Sequence, residues 1–133
     1  MAAAAQPLTS VLGSIGQIAL AVPDIAAAVR FYRDDLGLRL LFEAPPGLAF
    51  FDCGGVRLML SAPETGDTVG PSSSAIYFRV ADITAVHATL TGRGVAFEQG
   101  PKLIARMPDH ELWMAFFRDP GANLLALMAE VRR

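Results

Sequence analysis

Residues 15–38 read IGQIALAVPDIAAAVRFYRDDLGL. A short apolar strand runs into Pro23-Asp24, then an amphipathic helix, then a glycine stop at Gly37. Asp24 suits an N-cap, because its carboxylate can accept the unpaired amides of a first helical turn. Ile25, Val29, Tyr32 and Leu36 fall on one helical stripe. Gly37 is placed to close the helix with a left-handed residue.

Residues 73–94, SSAIYFRVADITAVHATLTGRG, repeat that order. Asp82 stands where Asp24 stood, the stripe becomes Ile83, Val86, His87 and Leu90, and Gly94 takes the place of Gly37. The halves stay in step beyond the helix. RLLFEA (39–44) matches VAFEQ (95–99) as a second strand. LAFFDCGGVRLMLS (48–61) matches WMAFFRDPGANLLALM (113–128) as a β-hairpin, each with Ala-Phe-Phe before a turn. Between the halves, SAPETGDTVGPSSS has the composition of a linker. The expected fold is α+β. Two tandem βαβββ modules, 14–62 and 74–130, are joined by a linker, 63–73, and form a curved mixed sheet cup with helices on its outer face. Residues 1–13 are expected to form a loose N-terminal arm, with 14–133 as a single domain.

Composition narrows the function classes. The chain has 133 residues, 53% of them hydrophobic and 18% charged, which suits one globular domain with a real core. A net charge of -2 offers no basic field for nucleic acid or an anionic membrane. The lone cysteine, Cys53, excludes an internal disulfide framework or a cysteine-rich zinc site. MAAAAQPLTS lacks the basic region of a signal peptide, and no apolar run approaches a membrane span, so a cytoplasmic location is expected.

The strand-PD-helix-FY-LGL pattern of VPDIAAAVRFYRDDLGL (22–38) and the late turn in FFRDPGANLLALM (116–128) resemble the vicinal oxygen chelate superfamily. That group holds glyoxalase I, bleomycin-resistance proteins, extradiol dioxygenases, methylmalonyl-CoA epimerases and fosfomycin-resistance enzymes. The resemblance covers about residues 14 to 130. One fold there hosts many activities, so it implies the architecture more sharply than the function. In the enzymes of the group a divalent metal sits in the cup, held by His or Gln on each module's first strand and usually Glu on each last strand. Those positions here are Gln17, Ala75, Met59 and Ala126. Alanine has no donor atom, and a thioether suits soft ions rather than Mg, Mn, Ni or Zn. No metal site and no cofactor are therefore expected. Gln17 reads as a polar side chain lining a wet cavity.

Strand alternation extends the lining. Gln17 brings Ala19 and Ala21, Met59 brings Arg57 and Ser61, Ala75 brings Tyr77 and Arg79, and Ala126 brings Leu124 and Met128. Pairing the last hairpin about its turn sets Phe116 opposite Ala126. Met114, Leu112 and His110 then share that side, with Trp113 and Phe117 on the other, unless a bulge intervenes. The expected ligand-binding cup is thus Gln17, Arg57, Met59, Ala75, Tyr77, Arg79, Phe116 and Ala126. Arg57 and Arg79 are candidate clamps for a carboxylate or phosphate, or else solvent-facing strand ends. His110 is a candidate general acid or base.

Other motifs fall away. HELWM (110–114) has Met114 where a zinc-protease helix needs its second histidine. TGRG (91–94) is no phosphate loop, and Cys53 reads as a turn-flanking residue rather than a nucleophile. The expected protein is glyoxalase/bleomycin-resistance-like. It binds an apolar or anionic small molecule in the cup as a homodimer, without nucleic acid or membrane. The alternatives are a lyase, isomerase or dioxygenase-type enzyme, lactoylglutathione-lyase-like, with atypical metal ligands or none, or a partner-binding module with a vestigial pocket.

Overall fold

A computed structural model describes residues 11–63 and 68–132. Most of the expected N-terminal arm and part of the linker, residues 64–67, lie outside them. The first module runs β1 (Gln17–Ala21), α1 (Ile25–Arg30), β2 (Arg39–Ala44), β3 (Leu48–Cys53) and β4 (Val56–Ser61). The second runs β5 (Ile76–Arg79), α2 (Ile83–Gly92), β6 (Phe97–Arg106), β7 (His110–Arg118) and β8 (Leu124–Arg132). Each module makes one four-stranded mixed sheet, in the orders β1-β4-β3-β2 and β5-β8-β7-β6. The first strand pairs in parallel with the last, and the others are antiparallel.

The helix starts follow the capping chemistry. Asp24 accepts from the Ala27 amide at 3.2 Å and Asp82 from the Ala85 amide at 3.0 Å. Gly37 and Gly94 lie in the left-handed region, at φ 77° and 93°. One local departure is a π-helical turn, Phe31–Asp35, that continues α1. It turns Phe31 and Tyr32, both buried, into the space between the modules.

The repeat holds at the level of register. Ala19 faces Met59 in the first sheet and Tyr77 faces Ala126 in the second, related by the offsets read from the sequence. The second hairpin turn, Pro120-Gly121-Ala122, is one residue longer than Gly54-Gly55, so Phe50 meets Met59 and Phe116 meets Ala126. The β7–β8 register runs unbroken from Arg118 to His110, and the bulges fall between β6 and β7 instead.

One hydrophobic core joins the two modules. Leu20, Phe51, Leu58 and Leu60 enter it from the first sheet, Ala115, Phe117, Leu125 and Leu127 from the second. Phe31 bridges them, with its ring 5.4 Å from Tyr32 and 6.3 Å from Phe117. The helix-bearing faces of the sheets therefore meet in this core, and the opposite faces point away from it.

A buried polar clamp locks that meeting. The Tyr32 hydroxyl donates to Asp119 Oδ2 at 2.7 Å. Asn123 Nδ2 donates to the same oxygen and to the Ala21 carbonyl, both at 3.0 Å, and Asn123 Oδ1 accepts from the Ser72 amide at 2.7 Å. Asp119 Oδ1 accepts the Gly121 and Asn123 amides at 2.9 and 2.8 Å. Gly121 is required, because a Cβ there would lie 2.8 Å from the ring of Pro23.

Burial, together with the Asp119 carboxylate, pushes the Tyr32 hydroxyl far above its ordinary pKa. The native state thus keeps a proton that the unfolded chain releases near pH 10. Stability from this group is complete below that pH and falls as pH rises past it. We expect Tyr32→Phe to cost about 1–2 kcal/mol at neutral pH, by depriving Asp119 of a donor. That corresponds to roughly 3–6 °C in thermal midpoint. The gap between wild type and variant should narrow above about pH 10. Urea unfolding at pH 7 and 11 measures both, and a gap independent of pH would refute the protonation account.

Candidate functional site

The outward face of the first sheet carries Gln17, Arg57 and Met59. Period-two alternation puts Ile18 and Leu20 into the core and Gln17 on the other side. Arg57 lies opposite Gln17 in register, and its Nε donates to Gln17 Oε1 at 2.8 Å. Gln17 Nε2 rests 3.8 Å from the Met59 sulfur, a weak contact. The Arg57 guanidinium sits 5.5 Å from the centre of the Phe50 ring, and Phe42 stacks on Phe50 at 4.4 Å. Phe42 is 48% exposed, a large aromatic surface left open. Among the described residues Arg57 has no ion-pair partner: its charge is oriented by an amide and a ring, and is not neutralised.

The second sheet presents a different chemistry on its outward face. Tyr77 and Phe116 meet edge to face at 6.0 Å, both opposite Ala126. Met114 and Met128 pair beside them. Gln99, opposite Phe116, has a buried Nε2 with no hydrogen-bond partner among the described residues. Arg79 is engaged otherwise, with Nη1 donating to Glu130 at 3.2 Å. Ala75 stands one residue before β5.

The candidates thus fall into two clusters, one on each sheet. Gln17, Arg57 and Met59 come together, as do Tyr77, Phe116 and Ala126. Among the described residues no hydrogen bond or ring contact joins the clusters. The four positions that the resemblance assigns to a metal do not make a hard-ion site. Ala75 and Ala126 bring no donor, Met59 brings a thioether, and the one hard oxygen, on Gln17, already accepts from a cation. Nor do three or more His, Cys, Asp or Glu side chains cluster suitably elsewhere among the described residues.

His110 stands apart. It begins β7, roughly 20 Å along the strand from Phe116. Its Nδ1 lies 2.7 Å from Asp109 Oδ1, and Arg132 donates to Asp109 Oδ2 at 2.7 Å. The His110 hydrogen bond and the Arg132 charge hold the Asp109 carboxyl below the usual range. Glu111 faces the other way, where it accepts from the Trp113 indole at 3.3 Å. His87 packs edge-on against Phe97 at 4.4 Å, a packing residue on the helix stripe. Cys53 ends β3, and burial pushes its thiol up, which makes it a poor nucleophile.

Several contributors escaped the sequence reading. Phe42 and Phe50 were signalled only as strand aromatics, and their stacking depends on a register shift between Leu40 and Phe42. The Gln99 amide is placed by the β6 bulges, which no local motif announces. Asp109 is the exception, since its adjacency to His110 is in the sequence itself.

No helix among the described residues is long and apolar enough to cross a membrane. The curated protein YraH of Bacillus subtilis (strain 168), itself uncharacterized, is 31% identical over 126 residues, spanning 84% of this chain and 94% of its own. The crystal structure of lactoylglutathione lyase from Agrobacterium tumefaciens aligns with a TM-score of 0.72 at 24% identity, over 90% of this chain and 96% of that one. A glyoxalase/bleomycin resistance protein/dioxygenase from Alicyclobacillus acidocaldarius aligns with a TM-score of 0.70 at 21% identity, over 88% and 91%. At these identities the two structures speak for the fold alone. The family signature described as Glyoxalase/Bleomycin resistance protein/Dioxygenase superfamily matches residues 14–127, and the chain belongs to that superfamily.

Proposed function

We propose that this chain is a metal-independent binding protein of the superfamily, taking a small apolar or anionic molecule on the outward sheet faces. The observation that carries the reading is Arg57, a cation without a carboxylate partner among the described residues, oriented by Gln17 beside the exposed Phe42, which stacks on the buried Phe50. An aromatic body with an anionic head matches that surface, the ring on Phe42 and the head on the guanidinium. Tyr77, Phe116 and the methionines of the second sheet supply a complementary apolar wall, and the Gln99 amide a spare donor. No hydrogen bond or ring contact joins the two faces among the described residues, and a homodimer that sets one copy's first module against the other's second would complete the cup. It also covers the outer edges of β1 and β5.

A second reading is a metal-free lyase or isomerase-type enzyme. It rests on the His110–Asp109 pair, in which the carboxylate fixes the imidazole tautomer for proton transfer. The distance of that pair from Phe116 along β7 favours binding over turnover.

Two measurements test the proposal. After soaking in Zn, Ni, Mn and Fe(II), elemental analysis should find no stoichiometric metal, and the thermal midpoint should not rise with any ion. A one-to-one metal content would overturn metal independence. Titration with 1-anilinonaphthalene-8-sulfonate, an aromatic anion, should give saturable binding. Arg57→Ala should weaken it about tenfold through loss of one charge-assisted contact, while His110→Ala leaves it unchanged. Turnover of a glutathione hemithioacetal that depends on His110 would instead establish the enzymatic reading.

A further inference from the structure

The repeat breaks at one place, and a cavity lies there. In the second module the hairpin turn closes on the first through the Tyr32–Asp119–Asn123–Ala21 clamp. The repeat offsets carry those four residues to Leu90, Cys53, Val56 and Arg79. None of these four positions carries a carboxylate, amide or phenol, so the clamp that draws turn and strand together in the second module has no counterpart here. A cleft of about 650 Å³ opens between the Asp52–Gly54 end of the first hairpin and β5. Its walls are Ile18, Leu38, Leu58, Ile76 and Phe78, all members of the shared core or packed against it. A second cavity of about 220 Å³ adjoins it across Leu38, Phe78 and Arg79, and extends to Leu90 and Phe117.

We propose that this inter-module cleft is a second ligand site, meeting the outward face of the second sheet only at Tyr77 and Arg79, that takes an uncharged apolar molecule. Its volume is that of a small-molecule pocket. Its charged groups sit at the mouth and are already engaged: Asp52 accepts the Gly55 amide at 3.1 Å, and Arg79 pairs with Glu130, while Tyr77 adds its ring to the lining. The two mouth charges are opposite, which leaves no preference for an ionic head. Apart from Tyr77, the uncharged walls carry no strong hydrogen-bonding side chain, so most of a polar guest would lose its solvation without compensation. The half-buried Cys53 thiol borders the cleft and reports on its occupancy.

The neutral dye N-phenyl-1-naphthylamine tests the assignment on the full-length wild-type protein. Saturable fluorescence enhancement is expected, together with slowing of Cys53 alkylation by iodoacetamide at the same dye concentrations. Ile76→Trp and Val56→Trp, which fill the cleft from opposite walls, should each weaken dye binding by at least about tenfold, whereas Arg57→Ala and Phe42→Ala should not. Circular dichroism identifies any variant that fails to fold, and the alkylation readout on wild type stands without them. Absence of saturable binding, or unchanged alkylation at dye saturation, would overturn the site. So would loss of dye binding in Phe42→Ala with retention in Ile76→Trp, which would place the dye on the outward face.

Discussion

The Asp119 carboxylate is the point on which both modules depend. A buried anion is tolerated only where it is fully hydrogen-bonded, and this one accepts from a phenol, a side-chain amide and two backbone amides. Three of those donors come from its own turn and one from the other module. Asn123 then extends the network to the Ala21 carbonyl and the Ser72 amide. The turn that ends β7 thereby holds the end of β1, the helix continuing from α1 and the start of β5's approach in one polar knot. Phe31, Tyr32 and Phe117 can pack as one core because the knot fixes the angle between the sheets.

Two sheets that share a core through their helix-bearing faces must leave their other faces outward. Both faces share the register of the first strand on the last and of the hairpin, and they differ in the β6–β7 bulges and in what each sequence hangs on the frame. The first carries an amide, a cation and a phenylalanine stack. The second carries tyrosine, phenylalanine and methionine around an alanine. A duplicated frame with unlike surfaces suits the recognition of an asymmetric molecule. The same frame with hard donors at four matched positions would suit a metal, and here only Gln17 of the four brings one.

Much of this was legible in advance. Asp24 and Asp82 marked the helix starts, the Ala-Phe-Phe repeats fixed the hairpins, and Phe116 opposite Ala126 followed from counting about the turn. Those features are local, or repeat at a fixed offset, so one sequence suffices. The partner of Tyr32 was not legible. The residue sits on an apolar stripe, its acceptor lies far along the chain, and DPGAN reads equally well as an ordinary turn. The grouping of the cup residues was not legible either. Alternation says which side chains share a face, but not which way two faces turn relative to each other. That angle is set by Phe31 and Tyr32 in a π-helical turn whose extra residue per turn no periodicity reveals.

The parallel pairing of β1 with β4, and of β5 with β8, also shapes how the chain folds. The first strand of each module has one neighbour, and that neighbour is the last strand of the same module. Neither β1 nor β5 can be incorporated until everything between has been made and arranged. Each module therefore forms as a closed unit rather than growing strand by strand, at the slower pace of non-local contacts. A nascent chain that has emerged only through β4 could complete its first sheet. It would still hold Tyr32 with no acceptor and Phe31 with half its neighbours. On the ribosome, the first module is an intermediate with an exposed apolar helix face, awaiting the turn that ends β7.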